Sequence, residues 1–300
     1  MHIYTILGCL AVIIWATNIG FSRILVEQIG GFYTCGIEMT VSGILLLLVE
    51  FLKNRTIKPL FHLKKKYYSV CGFFFFFYMF LFYLAMHLCN SREQILIVSA
   101  ANYLWPVLTI VFGIPVLHHK CRLFPLILGI LLTIIGTFGV SLSGQNLSRE
   151  QLEGTALLAF GLSSLGAVSW ALYSCFVIRY LGEKTDDPDA LPLFMLVSGV
   201  IMLVIGRLFG PLPKIGTDLL PAVIYTILFP GVTAYFFWDI GIQKGNDLIV
   251  TFLSLFTVVL SMAASALVLK ISISREEIIF SFLITLGALL CKFSEKHNNS

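Results

Sequence analysis

Apolar residues in this chain do not alternate with polar ones. They run in long blocks divided by short polar interruptions. Ten blocks can be marked, over approximately 4–26, 31–52, 67–88, 94–117, 123–142, 154–178, 189–209, 218–240, 247–269 and 277–292. At about 1.5 Å of rise per helical residue, most are long enough to cross a hydrocarbon core of about 30 Å. The last block is short for a span. Period-2 alternation is absent and the blocks far exceed strand length, which argues against a membrane barrel. The pattern predicts an all-α integral membrane protein of ten transmembrane helices, with loops too short for a soluble domain. Tyr4–Val26 reads as a retained helix, because it is too long for a signal h-region and lacks a basic flank and a small-residue cleavage site.

Composition agrees. The 300 residues are 58% hydrophobic and 12% charged, with a mean hydropathy of +0.93, so the lipid bilayer is the solvent. Seven scattered cysteines with no C-x-x-C spacing propose neither a disulfide framework nor a metal site. No cofactor motif is present, and nothing points to nucleic acid. Motifs of hydrolases, zinc proteases and phosphate-binding loops are missing too, so an enzyme is not expected.

Basic residues set the orientation. With a cytoplasmic N-terminus, the inner loops and tail hold 13 Lys and Arg, including Lys53, Arg55, Lys58, Lys64, Lys65, Lys66, Lys184 and Lys296. The outer side then holds 7, namely Arg23, Arg92, Arg149, Arg207, Lys214, Lys270 and Arg275. The positive-inside rule places both termini in the cytoplasm.

The chain also echoes itself. Trp15-Ala16 in the first segment returns as Trp170-Ala171 in the sixth, and Val41-Ser42-Gly43 in the second as Val197-Ser198-Gly199 in the seventh. In the fourth segment Ser99, Asn102, Pro106 and Thr109 fall on one polar arc. A constant step places them on Thr251, Ser254, Val258 and Ser261 of the ninth. Three echoes in one order predict two five-helix units, 1–145 and 146–300. Five is odd, so the second unit is inverted relative to the first, as in transporters that bind substrate near the midplane.

Candidate chemistry lies on these echoing stripes. Tyr103 and Trp105 flank the polar arc like two walls, and Trp15 and Trp170 lie on small-residue stripes of their own. Large aromatics hold helices apart and can wall a central cavity. Trp15, Asn102, Tyr103, Trp105, Trp170 and Ser254 are the substrate-binding candidates. The competing reading is interhelical packing by small polar residues around a tolerated proline kink. Of Tyr78, Phe82 and Tyr83 in the aromatic third segment, periodicity does not say which reaches the cavity. Glu38 is the candidate coupling group, either titrating with transport or meeting a substrate amine. The alternative, slightly favoured, is that it is solvated in an outward vestibule. Arg23 is expected to snorkel from a helix end, His87 to be a hydrogen-bonded interfacial residue, and Asp239 to be interfacial.

The motifs Asn102-Tyr103-Leu104-Trp105-Pro106, Ala167-x-x-Trp170-Ala171-x-Tyr173, Ala234-Tyr235-x-x-Trp238-x-x-Gly241 and Ser254-x-Phe256-Thr257 carry a resemblance over essentially the whole chain. The chain resembles the drug/metabolite transporter superfamily of EamA type, and in particular the YddG-type aromatic amino acid exporters. That resemblance implies a bacterial inner-membrane exporter, acting as a monomer, in which helices surround a largely apolar cavity and aromatic amino acids leave by alternating access. Tyr103, Trp105 and Trp170 match positions similar to the family's cavity wall. Val258 stands where such relatives often carry proline, so the second half is expected to bend less. Asp239 replaces a common asparagine, and Glu38 stands where relatives are uncharged. A general drug or metabolite exporter, proton-coupled through Glu38, is the alternative function. A non-transporting scaffold or sensor is disfavoured by the two halves.

Overall fold

The computed structural model describes residues 2–143, 154–182 and 189–295. Arg149, Lys184 and Lys296, and the side chains of Asp239, Asp247 and Thr251, lie outside the described residues. The apolar blocks form α1 (His2–Ile29), α2 (Gly31–Asn54), α3 (Lys65–Leu88), α4 (Gln94–Asn102), α5 (Trp105–Leu117), α6 (Leu123–Ser143) and α7 (Thr155–Leu181). There follow α8 (Leu191–Phe209), α9 (Leu220–Leu228), α10 (Ala234–Lys244), α11 (Asp247–Ser254), α12 (Thr257–Leu269) and α13 (Arg275–Ser294). Among the described residues 9 segments are long and apolar enough to cross a membrane, and α12 is a shorter apolar helix. No strand forms among them. The protein is an all-helical, multi-pass membrane protein. The last segment, read as short, is a full helix of 20 residues. Ser274 and Glu277 close a capping box at its start, lengthening it at the N-terminal end.

Two of the ten segments are broken in mid-course. In the fourth, α4 ends at Asn102 and α5 begins at Trp105. Leu104 N–H turns to Ala101 O at 3.3 Å, and regular bonding resumes with Leu108 N–H to Leu104 O at 3.0 Å. In the ninth, α11 ends at Ser254 and α12 begins at Thr257, with Phe256 N–H bonded to Leu253 O at 2.9 Å. The step that superposes Asn102 on Ser254 also superposes the two restarts, and it brings Leu117 onto Leu269 where both segments end. His118 and Lys270, the residues that follow, both adopt left-handed backbone, φ 59° and 57°.

The expectation that the second half bends less is therefore overturned, since α11 and α12 separate without a proline. A side chain does the work there: Thr257 Oγ1 donates to the Ser254 carbonyl and satisfies an oxygen that the interrupted ladder leaves free. Val258 occupies the second position of α12, where an N–H has no intrahelical acceptor. Val258→Pro is thus expected to shift the thermal midpoint by no more than a few degrees. Leu260→Pro, which deletes the 3.1 Å bond from Leu260 N–H to Phe256 O, should cost about 3 kcal/mol. Melting curves in detergent compare the two.

A third irregularity is a π turn, Phe229–Thr233, between α9 and α10. Pro230 has no N–H to give, and Thr233 Oγ1 reaches back to Leu228 O at 2.7 Å.

The helices pair across the two halves of the chain. α2 lies on α8 and α6 on α13, while α1 packs on α10, α11 and α12, and α3 on α7, which also receives α4 and α5. The echo Val41-Ser42-Gly43 and Val197-Ser198-Gly199 marks where α2 and α8 cross, with Gly43 against Leu196 and Gly199 against Thr40. Small residues let these backbones touch.

Arg23 does not snorkel. It is 5% exposed, and its guanidinium caps the end of α3 by donating to Met86 O and, at 3.0 Å, to Cys89 O. Its Nε meets Glu27 at 3.1 Å. Arg92, in the loop after α3, also grips Glu27 (2.7 Å) and donates to Leu269 O at 3.2 Å. The Arg92 side chain is 42% exposed, so Arg92→Ala should cost under about 1 kcal/mol, and less in high salt. Arg23→Ala strands buried carbonyls and should cost about 1–3 kcal/mol. The order of the two melting temperatures checks this.

Candidate substrate site between the broken helices

Two tryptophan–tyrosine pairs form the aromatic part of the site. Trp170 on α7 packs on Tyr78 of α3 with ring centroids 4.8 Å apart, and on Tyr173 at 5.2 Å. Phe75 closes the cluster at 5.5 Å from Tyr173. Trp15 on α1 meets Tyr235 of α10 edge-on at 5.1 Å and Trp238 at 5.4 Å. Each echoing tryptophan therefore rests on a tyrosine of the helix with which its own helix pairs. Tyr78 and Tyr235 are deeply surrounded by protein and close enough to interact, yet both are only half-buried. Each therefore keeps part of its ring uncovered by protein.

The indole N–H of Trp15 is spent. It donates to Pro230 O at 3.1 Å, in the π turn where the backbone ladder is irregular. Trp15 is thus a fixed wall. Trp105 begins α5, half-buried, with its carbonyl accepting Thr109 Oγ1 at 2.7 Å. Tyr103 sits in the break itself, 6% exposed, with its hydroxyl turned to Ser261 on α12. Tyr103 thus stands close to both broken segments without bonding across them.

Unpartnered polar atoms lie along the two broken segments. Buried side-chain atoms without a hydrogen-bond partner, among the described residues, include Ser99 Oγ, Asn102 Oδ1, Ser261 Oγ and Ser265 Oγ. Ser99 and Asn102 share the polar arc of α4, one turn apart, and Ser261 and Ser265 share a stripe of α12. Asn102 is 5% exposed and lies near the Tyr78 hydroxyl, which brings the polar floor close to the aromatic wall. Orphaned buried acceptors cost about 1–3 kcal/mol each, so a site that keeps several has a use for them. Ser254 closes α11 at the second break, where its carbonyl receives Thr257.

An EamA-like transporter family pattern matches residues 2–142 and again 155–292. The chain belongs to the EamA-like transporter family. It is 28% identical over 293 residues to "Aromatic amino acid exporter YddG" of Escherichia coli, with 96% of each chain covered. The protein of the same name from Salmonella typhimurium is 28% identical over 292 residues, again with 96% of each covered. A solved crystal structure 21% identical superposes with a TM-score of 0.69 over 98% of both chains, a likeness of fold alone. This EamA-type chain is accordingly a membrane transporter and not an enzyme.

Within this transporter, Glu38 is not in a solvated vestibule. It is 2% exposed, with Oε1 accepting from Ser22 Oγ at 3.0 Å and Oε2 from the Tyr83 hydroxyl. The third segment thus divides its labour. Tyr78 joins the aromatic wall, Tyr83 serves Glu38, and Phe82 packs between them at 5.7 Å and 5.8 Å. His87 accepts from Gly31 N–H at 3.4 Å, a hydrogen-bonded residue as expected. Sequence reasoning held Tyr78 open beside Phe82 and Tyr83, and it quoted Tyr235 in a motif without giving it a role. The only sequence signal that could have pointed to both tyrosines was the echo of Trp15 in Trp170, the two rings they pack on.

Proposed function

We propose that this EamA-type transporter exports aromatic amino acids by alternating access across a bacterial inner membrane, as a monomer with both termini in the cytoplasm. Residues 1–145 and 146–300 are read as two inverted five-helix units. That reading is supported by helix contacts that come in matched sets, α1 on α10 answering α3 on α7, and by two family matches along the chain. The observation that carries the function is Asn102 Oδ1, a buried acceptor without a partner beside the Tyr78–Trp170 pair. A substrate with a flat apolar ring and an ammonium group answers both. The ring lies against Trp170 and Tyr78, the ammonium donates to Asn102, and the serine hydroxyls of α4 and α12 are donors for the carboxylate. The names of the relatives agree with this class of cargo.

Purified protein in liposomes should accelerate the flux of phenylalanine, tyrosine or tryptophan over empty liposomes, and that of leucine much less. Equal flux with and without protein for all three aromatic substrates would reject the reading.

A further inference from the structure

Glu38 plays no part in the aromatic wall, and its surroundings are built from four helices. Ser22 comes from α1, Glu38 from α2, Tyr83 from α3, and the Thr226 hydroxyl of α9 lies beside the carboxyl. No cation pairs with it among the described residues. On α1, Arg23 is turned to Glu27 and to the end of α3. On α2, Cys35 is a fully buried thiol beside Glu38, and Tyr33 donates to Gly210 O at 3.2 Å. On α3, His87 bonds Gly31. On α8, Arg207 is exposed and bonds Gly210 O, and on α9 the Tyr225 hydroxyl meets Thr17. A carboxyl buried in a membrane protein without a counter-charge is costly to ionise, and such groups mark ion and proton pathways.

The Ser22 hydroxyl makes the cluster more than a buried acid. It has one hydrogen and two acceptors in reach, Glu38 Oε1 at 3.0 Å and Asn18 Oδ1 at 3.3 Å. An ionised Glu38 takes that hydrogen, because a charged acceptor makes the stronger bond. A protonated Glu38 carries its own hydrogen, donates it to Ser22 Oγ, and turns the serine hydrogen to Asn18 Oδ1. Asn18 is half-buried and stands one helical turn from Trp15 on α1. Its oxygen is therefore open when Glu38 is ionised and occupied when Glu38 is protonated.

We propose that Glu38 is a proton-binding site whose occupancy Ser22 relays to Asn18, so that a proton and the ammonium group of a substrate compete for the transporter. Only a proton moves, from water to the carboxylate and back, and no other bond is made or broken. Competition of this kind is what exchange of an inward proton for an outward substrate requires. The substrate half of the proposal rests on the amino-acid reading above, with Asn18 Oδ1 a second acceptor for the ammonium beside Asn102, and the proton half does not.

The test separates them. Infrared difference spectra of substrate-free protein in liposomes, recorded on acidification, should show the C=O band of a protonated carboxyl. Glu38→Gln, which keeps the shape and the hydrogen-bonding oxygen, should lack it. The same spectra should show a shift of the Asn18 amide band, identified by its loss in Asn18→Ala, and that shift should vanish in Ser22→Ala while the carboxyl band stays. With phenylalanine added, affinity should fall about tenfold per pH unit below the midpoint of the band, the slope of one proton exchanged, and should be flat in Glu38→Gln. A carboxyl band unchanged in Glu38→Gln overturns the proton site. An Asn18 shift that survives Ser22→Ala overturns the relay, and phenylalanine affinity that ignores pH overturns the competition. Protein that shows band and relay but binds no aromatic amino acid at any pH refutes the substrate class and leaves the proton site standing.

Discussion

Gly199→Leu is expected to leave almost no folded protein in the membrane fraction, and Gly199→Ala to destabilise it by about 1–3 kcal/mol. A Cβ at position 199 would lie 2.4 Å from Thr40 N and 2.9 Å from Met39 C on α2. These are backbone atoms inside a helix, so they cannot swing aside as a side-chain end would. The opposite face is as tight, since a Cβ at Gly43 would lie 2.7 Å from Leu196 N and 2.9 Å from Pro192 O. Without a hydrophobic force between helices in lipid, association depends on such close contact, and a leucine at the crossing holds α2 and α8 apart. Gly161→Ala is the control, because a Cβ there meets nothing within 4 Å, and it should be neutral or slightly stabilising. Size-exclusion profiles and melting curves of the four proteins decide the matter. Gly199→Leu protein that is as monodisperse and stable as wild type would refute the packing account.

The second large effect is on transport. Trp170→Ala should weaken phenylalanine binding by roughly tenfold or more, with the melting temperature lowered only modestly. The indole is in ring contact with Tyr78 and Tyr173 at 4.8 Å and 5.2 Å and is half-buried, so part of its surface is left for a ligand. A substrate ring loses an aromatic neighbour worth about 0.5–1.5 kcal/mol beyond the apolar area it buries. Together these make a loss above about 1.4 kcal/mol, which is tenfold in affinity. Trp170→Phe should recover most of it. Trp15→Ala is a poorer probe, because it also strands the Pro230 carbonyl at the π turn. Titration of phenylalanine against the intrinsic fluorescence of the remaining tryptophans reads the change. Unaltered affinity in Trp170→Ala would remove Trp170 from the site.

The sequence by itself determined the solvent, the helical class and the segments. Each is a property of apolar runs long enough to span lipid, where an unpaired backbone is too costly for any other form. It also marked Trp15 and Trp170, Gly43 and Gly199, and Asn102 and Ser254, because each pair recurs in the same order along the chain. Bond partners were another matter. Arg23 near a helix end looks like a snorkelling cation until the end of α3 is seen to need its donors, and Glu38 looks solvent-facing until Ser22 and Tyr83 close on it. The break after Ser254 has no proline to announce it, and only the bond from Thr257 shows how it is held. Tyr78 and Tyr235 acquire their role from α3 lying on α7 and α10 on α1. Those contacts join residues far apart in the chain, and periodicity, which relates a residue only to neighbours on its own helix, carries no information about them. Tertiary packing decided which of several equivalent faces meet, and so which polar atoms were left unpartnered along the two broken segments.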